Sequence, residues 1–270
     1  MIIEPKNIDF SKYKRFFTFG CSFTQWRWPT WVNIIKTQMP NAEVYNAGRG
    51  GAGNLYIALQ YNMYRKKYNF CDTDLIMIMW TTFCREDRYV KNCWLTPGNI
   101  YTQDTYSKEF IEKYADPKGY AIRDLGLIDI ITNSLQKECF DSVALMSVPP
   151  FYNSNTDLQL DDLRDLLILY NDTIIQYPKS FYEFQGNKWA NGHHYYHPGF
   201  DNGPAKKVTE HHEPNYEDYH PNTVAHYNYL NYLGFKFDNV AEAYSKKTVV
   251  QYNSYTHFNQ FMNEHSTEII

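Results

Sequence analysis

The stretch FFTFGCSFTQW, residues 16–26, is the most informative part of this sequence for its fold. An apolar run stops at Gly20, Cys21 and Ser22, and a helix-like segment follows it. A strand that turns directly into a helix presents one side chain at the mouth of the turn, beside backbone N–H groups. The pattern therefore predicts a strand–turn–helix unit that holds the Ser22 hydroxyl where a nucleophile can act.

Short apolar runs bounded by turn residues predict further buried strands, which gives the set 15–19, 43–46, 74–79 and 142–148. Between them, helical stretches are predicted at 31–39, 54–68 and 124–138. A further helix is predicted at 158–176, where apolar residues recur at spacings of three and four. Another helix is expected after Pro221, with Gly234 as its stop. Strands that alternate with helices indicate parallel βαβ units in a doubly wound α/β sheet.

Two segments break this rhythm and predict loop insertions in a single domain. Residues 95–123 are polar, and residues 178–217 are rich in Gly, Pro, His, Asn and aromatic residues. Long irregular segments in a compact domain are usually functional loops. We expect one α/β domain over residues 1–250 and a C-terminal tail at 251–270.

The composition restricts the class of partner. The formal net charge is -4, with 26 Lys and Arg against 30 Asp and Glu and no basic block, so nucleic acid is not expected as a partner. Five cysteines without a CxxC pair indicate reduced thiols. No signal-peptide pattern and no apolar run of roughly 20 residues is present, which predicts a soluble protein made in the cytoplasm without a membrane partner.

The sequence EDYHPN, residues 217–222, supplies the groups that a serine nucleophile needs. His220 follows two carboxylates, Glu217 and Asp218, at close spacing. A hydroxyl needs a base to remove its proton, and the base needs a partner that orients it. Ser22, His220 and one of these acids are therefore the minimum set for acyl transfer.

These blocks resemble the SGNH hydrolases, the superfamily of GDSL-type esterases and lipases. GCSFT at 20–24 stands where the family has its GDS block, NAGRGGAGN at 46–54 resembles the glycine block, and EDYHPN resembles the final Asp-to-His block. The resemblance covers residues 15–233 and implies a flavodoxin-like three-layer α/β/α sandwich. It also implies Ser22 as nucleophile, the Gly51 N–H as an oxyanion donor, His220 as base, and no cofactor.

The chain departs from the family pattern at two points. The strand DLIMIM runs into WTTFCRED, which puts Phe83 near the expected oxyanion asparagine, in a spelling similar to divergent relatives from bacteriophages. The candidates to replace that donor are Arg85 and Asn54, which reach further and donate more strongly than a hydroxyl, followed by Thr81 and Thr82; Trp80 is a possible supporting residue. For the orienting acid, Asp218 is the first choice and Glu217 the second.

Each block also has a simpler interpretation. Ser22 could be only a helix N-cap, Cys21 could be the nucleophile, and the glycines at 48, 50, 51 and 53 could cradle a phosphate. Five residues could supply ligands to a metal ion, although no metal is expected because their surroundings disfavour a helix: His193, His197, His211, His212 and Glu213.

The sequence thus predicts a serine esterase that removes O-acyl groups, such as acetyl groups, from a carbohydrate or another small ester. Aromatic residues make up 18% of the chain, including 25 Tyr, and such rings can stack on sugars or fill cores and oligomer interfaces. The alternative is a structural or glycan-binding component of a phage particle that keeps this fold with weak or no catalysis. In that case the partners would include a homo-oligomer or other virion proteins.

Overall fold

The computed structural model describes residues 2–26, 28–101, 105–147, 165–166, 168–174, 180–184, 188–190, 193–195 and 220–253. The strands are β1 (Arg15–Phe19), β2 (Glu43–Asn46), β3 (Asp74–Trp80), β4 (Arg88–Val90), β5 (Cys93–Leu95), β6 (Asp141–Met146), β7 (Lys188–Ala190) and β8 (His193–Tyr195). The helices are α1 (Trp31–Thr37), α2 (Asn54–Tyr68), α3 (Lys108–Tyr114), α4 (Pro117–Leu135), α5 (Asn171–Ile174), α6 (Phe181–Phe184), α7 (Thr223–Tyr232) and α8 (Asn239–Asn253).

Four strands form a central parallel sheet in the order β2-β1-β3-β6. All three strand pairs are parallel, and the register of β1 on β3 aligns Phe19 with Ile78. The chain winds from β1 to one edge of the sheet and then returns past β1 to build the other edge. This is the doubly wound α/β fold that the alternating pattern predicts, and the prediction is confirmed.

Side chains of β1 alternate between the two faces of the sheet and show which helices cover each face. Phe17 lies against Tyr64 and Tyr68 of α2, whereas Phe16 contacts Trp31 of α1 at 6.4 Å between ring centroids. Helix α4 packs beside α2, and helices α7 and α8 pack beside α1. The molecule therefore has three layers, with the sheet in the middle.

The predicted insertion at 95–123 is more ordered than its polar composition indicates. It contains α3, and α4 begins at Pro117 instead of residue 124. The Asp116 side chain accepts a hydrogen bond from the Lys118 N–H and Pro117 occupies the first helical turn, two features that start a helix whatever the polarity of its first residues.

The other predicted helix boundaries differ less. Helix α2 has the predicted bounds, α1 ends two residues early, and Gly234 follows α7 with a positive φ of 92°, as its predicted stop requires. Most of the segments 158–176 and 178–217 and the tail after residue 253 lie outside the described residues. Among the described residues, no helix combines the length and the apolar character needed to cross a bilayer.

Candidate active site

Ser22 lies in a single helical turn directly after β1. The Cys21 carbonyl accepts hydrogen bonds from the N–H groups of Thr24 and Gln25, at 2.9 and 3.2 Å. Ser22 is 4% exposed and stands at the carboxyl edge of the sheet, where ligand sites of open α/β folds lie. Its position agrees with the strand–turn–helix unit that the sequence predicts.

Two glycines flank this turn because Thr24 fills the space beside them. A Cβ atom on Gly20 would lie 1.9 Å from the Thr24 Oγ1, and one on Gly48 would lie 2.9 Å from the Thr24 Cβ. Thr24 itself is fully buried. Close packing of the serine turn against the glycine block therefore explains the absence of side chains at both positions.

Hydrogen bonds fix the glycine block to the serine turn. The Arg49 N–H donates to the Gly20 carbonyl at 3.0 Å, and the Asn46 amide donates to the Thr24 carbonyl at 3.1 Å. Gly51 has a φ of 72°, and a Cβ atom there would lie 2.2 Å from the Thr96 carbonyl oxygen. The block thus has a fixed conformation that only glycine permits at position 51.

His220 is far from Ser22 in the sequence but lies at the same edge of the sheet. Its ring stacks on Trp26, with 3.5 Å between ring centroids and 19° between planes, and meets Phe23 edge-on at 5.8 Å. The Trp28 Nε1 donates to the Pro221 carbonyl at 2.7 Å and secures the segment that carries His220. Pieces separated by about 200 residues in the sequence thus meet at one place.

Trp26 joins the imidazole to the glycine block. A Cβ atom on Gly50 would lie 3.5 Å from the Trp26 ring, which also stacks on His220. His220 and the glycine block therefore both lie against the segment that carries Ser22, and their joint catalytic role stays a prediction. No hydrogen bond joins Ser22 to His220, both of which are described, and the link between them runs through Phe23 and Trp26.

The candidates for orienting acid, Glu217 and Asp218, lie outside the described residues, as do His197, His211, His212 and Glu213. His193 lies in β8. In the part of the chain that the structure describes, no group of three metal-ligating side chains occurs.

Asn54 has a structural environment that occupies its whole side chain. Its amide donates to the Thr81 carbonyl at 2.8 Å and to Asp124 Oδ2 at 3.0 Å, and its Oδ1 accepts from the Thr81 N–H at 2.9 Å. Both amide hydrogens are therefore committed to holding the end of β3 between α2 and α4.

The remaining candidates for the third oxyanion donor differ in burial and in whether their polar atoms form hydrogen bonds. Arg85 donates to the Ala52 carbonyl at 2.7 Å and thus braces the glycine block. Trp80 and Phe83 are buried. Thr81 is fully buried, and its hydroxyl has no hydrogen-bond partner among the described residues. Thr81 directly follows β3, and β1, which pairs with β3 as far as Phe19 and Ile78, leads into the turn that holds Ser22.

A group of buried charged side chains, which the sequence did not predict, lies next to the glycine block and α2. The Asp87 carboxylate accepts the N–H groups of Gly53 and Tyr56, at 2.8 and 2.9 Å, and so caps α2 from another segment. The Arg123 Nε donates to Asp124 at 2.6 Å. Burial raises the pKa of Asp124 to about 7, against the opposing effect of Arg123 and Asn54. No spacing in the sequence relates Asp87 to α2.

A second histidine, His226 of α7, lies near the first. It is 1% exposed and packs against Phe23 and Phe181, and its Nδ1 atom has no hydrogen-bond partner among the residues that the structure describes. Burial lowers the pKa of His226 to about 3, so the ring is neutral over the physiological range. We assign it to the aromatic packing under the serine turn.

Comparison with known proteins gives matches in structure alone. No protein-family model and no curated protein matches this sequence. The chain is similar to a protein of Bacteroides fragilis assigned as an acylhydrolase, over 87% of this chain and 88% of that one, with 14% identity and a TM-score of 0.42. It is similar to a variant of an acetyl xylan esterase from Geobacillus stearothermophilus, over 84% and 99% of the two chains, with 15% identity and a TM-score of 0.38. At these low scores, the roles of the site residues rest on the contacts within this chain.

Proposed function

We propose that this protein is a serine esterase of the SGNH type that hydrolyses small O-acyl esters. The observation that carries the proposal is the convergence of Ser22, His220 and the glycine block at the carboxyl edge of a doubly wound sheet. An N-cap role for Ser22 would not require a histidine from residue 220 to be held beside the same turn. The stacked geometry of Trp26 between Gly50 and His220 supports a built site.

The mechanism follows from these positions. His220, oriented by Asp218 or Glu217, takes the Ser22 proton as the serine oxygen attacks the ester carbonyl. The N–H groups of Ser22 and Gly51 stabilise the oxyanion. His220 then protonates the leaving alcohol and activates water, which releases the acid and restores Ser22. The serine–histidine hydrogen bond forms in the substrate complex, since catalytic hydrogen bonds commonly reach their final geometry only there.

Replacement of the proposed nucleophile and base tests this function. Ser22→Ala and His220→Ala should each lower the hydrolysis of para-nitrophenyl acetate by about a thousandfold or more, and the double variant should lose little beyond either. A fluorophosphonate probe should label the wild type and not Ser22→Ala. His226→Phe is the matched control, because the proposal gives this neighbouring histidine no catalytic role. Equal activity in the wild type, both single variants and the double variant would overturn the proposal.

The alternative is a particle component that binds a glycan and has lost catalysis. The observation that favours it is the buried Phe83 at the end of β3, where the resemblance implies an oxyanion asparagine. Absence of fluorophosphonate labelling in the wild type would favour this alternative over the esterase.

A further inference from the structure

We propose that the pocket lined by Glu86, Arg88, Phe110 and Tyr114 is a binding subsite for one neutral sugar ring. Its volume is about 310 Å³, at the lower end of the range for small-molecule sites. The link between this subsite and hydrolysis rests on the proposed function, whereas binding to the pocket does not.

The backbone after β3 places the pocket next to the glycine block. In the extended segment 85–88, side chains alternate between two sides. Arg85 and Asp87 point to the glycine block, where they bond to Ala52 and Gly53, and Glu86 and Arg88 line the pocket on the other side. A ligand in the pocket therefore contacts the same segment that braces the proposed oxyanion loop.

The pocket residues are held in place before any ligand arrives. The Arg88 guanidinium lies 4.8 Å from the Phe110 ring centroid, and its Nε donates to Glu86 at 3.0 Å. Arg123 also approaches Glu86, at 3.6 Å. A preformed site spends little binding free energy on ordering its side chains.

The chemistry of these walls selects the ligand class. Glu86 only accepts hydrogen bonds, Arg88 only donates them, and its Nη groups have no hydrogen-bond partner among the described residues. The two charges cancel, which favours a neutral ligand over an anion or a cation. Tyr114 is 60% exposed and offers a ring face. A sugar ring matches this set, because it has an apolar C–H face and hydroxyls that both donate and accept.

The separation of the two sites suits an oligosaccharide. Ser22 follows β1 and Thr81 follows the neighbouring strand β3, and the five residues from Thr81 to Glu86 of the pocket span at most about 18 Å. A sugar in the pocket and an acyl group at Ser22 can therefore belong to one chain of a few units.

Binding of unacylated oligosaccharides to the full chain carrying Ser22→Ala tests the subsite. Saturation-transfer NMR and titration calorimetry would use xylotetraose, cellotetraose and chitotetraose. We expect at least one to bind, and Tyr114→Ala and Arg88→Met each to weaken its affinity by about tenfold. Tyr232→Ala is the matched control, since Tyr232 is 53% exposed on α7 and does not line the pocket. Melting curves would establish that each variant is folded.

The outcomes separate this proposal from the proposed function. Hydrolysis of para-nitrophenyl acetate, which carries no sugar ring for the pocket to bind, should be unchanged by Tyr114→Ala and Arg88→Met. Failure of all three tetrasaccharides to bind, or equal affinity in the pocket variants and the control, would overturn the subsite even if the esterase is active. Saccharide binding that depends on Tyr114 in a chain without esterase activity would support the subsite and reject the esterase.

Discussion

At the scale of single residues, the Thr81 hydroxyl is the best candidate for the oxyanion donor that the family asparagine would supply. The amide hydrogens of Asn54 are committed to Thr81 and Asp124, and Arg85 donates to Ala52. Thr81 directly follows β3, the strand next to β1, and its buried hydroxyl has no hydrogen-bond partner in the described part of the chain. A buried donor without a partner costs free energy, which is understandable where it serves a transition state.

Thr81→Val tests this role because it removes the hydroxyl and keeps the shape of the side chain. We expect kcat for para-nitrophenyl acetate to fall by about tenfold to a hundredfold, with no loss of thermal stability, since no hydrogen bond is lost. Thr81→Ser should restore most of the activity. A Thr81→Val enzyme with wild-type kcat would remove Thr81 from the oxyanion site.

At the scale of elements, the amino end of α2 depends on a carboxylate from another segment. Its N-cap residue is Gly53, which has no side chain, and Asp87 accepts the N–H groups of Gly53 and Tyr56 instead. The same contact holds the end of the glycine block. Stability of the helix and geometry of the proposed oxyanion site are therefore coupled through Asp87.

Asp87→Ala should lower the free energy of unfolding by about 2 kcal/mol, because buried N–H groups lose their acceptor. We also expect kcat to fall, since the glycine block loses a fixed point. Urea unfolding and ester hydrolysis measure the two effects. Asp116→Ala, which removes the cap of α4 on an exposed surface, should cost less stability and leave kcat unchanged. Identical behaviour of the two variants would contradict the coupling.

At the scale of the whole molecule, two buried groups give the stability opposite dependences on pH. The pKa of His226 is lowered from 6.5 to about 3, so the unfolded chain binds more protons between these values and stability falls as pH drops through this window. The pKa of Asp124 is raised from 3.8 to about 7, so the folded chain binds more protons there and stability falls as pH rises from about 4 to 7.

His226→Phe isolates the first contribution. The difference in free energy of unfolding between wild type and variant should be constant above about pH 7. Below that it should shift against the wild type by up to about 1.4 kcal/mol per pH unit, the slope for one proton. Chemical unfolding at several pH values measures the difference, and parallel curves from pH 7 to 4 would contradict the burial of a neutral His226.

The features that depend on residues close together in the chain, namely strands, helices and turns, could be predicted from the sequence. Apolar runs with turn residues located the four sheet strands, and the GCS turn placed Ser22 at the end of β1. The helical stretch predicted at 54–68 has the bounds of α2. These features follow from local backbone preference and from the burial of one face, both of which are written in short stretches of chain.

Contacts between side chains that lie far apart in the sequence could be identified only from the tertiary structure. Thr24 excludes side chains from Gly20 and Gly48, Asp124 occupies the Asn54 amide, and Trp26 stacks on His220 from a position 194 residues earlier. The polar composition of 95–123 predicted a loop. In the structure, an Asp-Pro cap begins α4 early, and α3 forms part of a pocket. Such contacts depend on the directions that side chains take after the layers have packed, which no local pattern encodes.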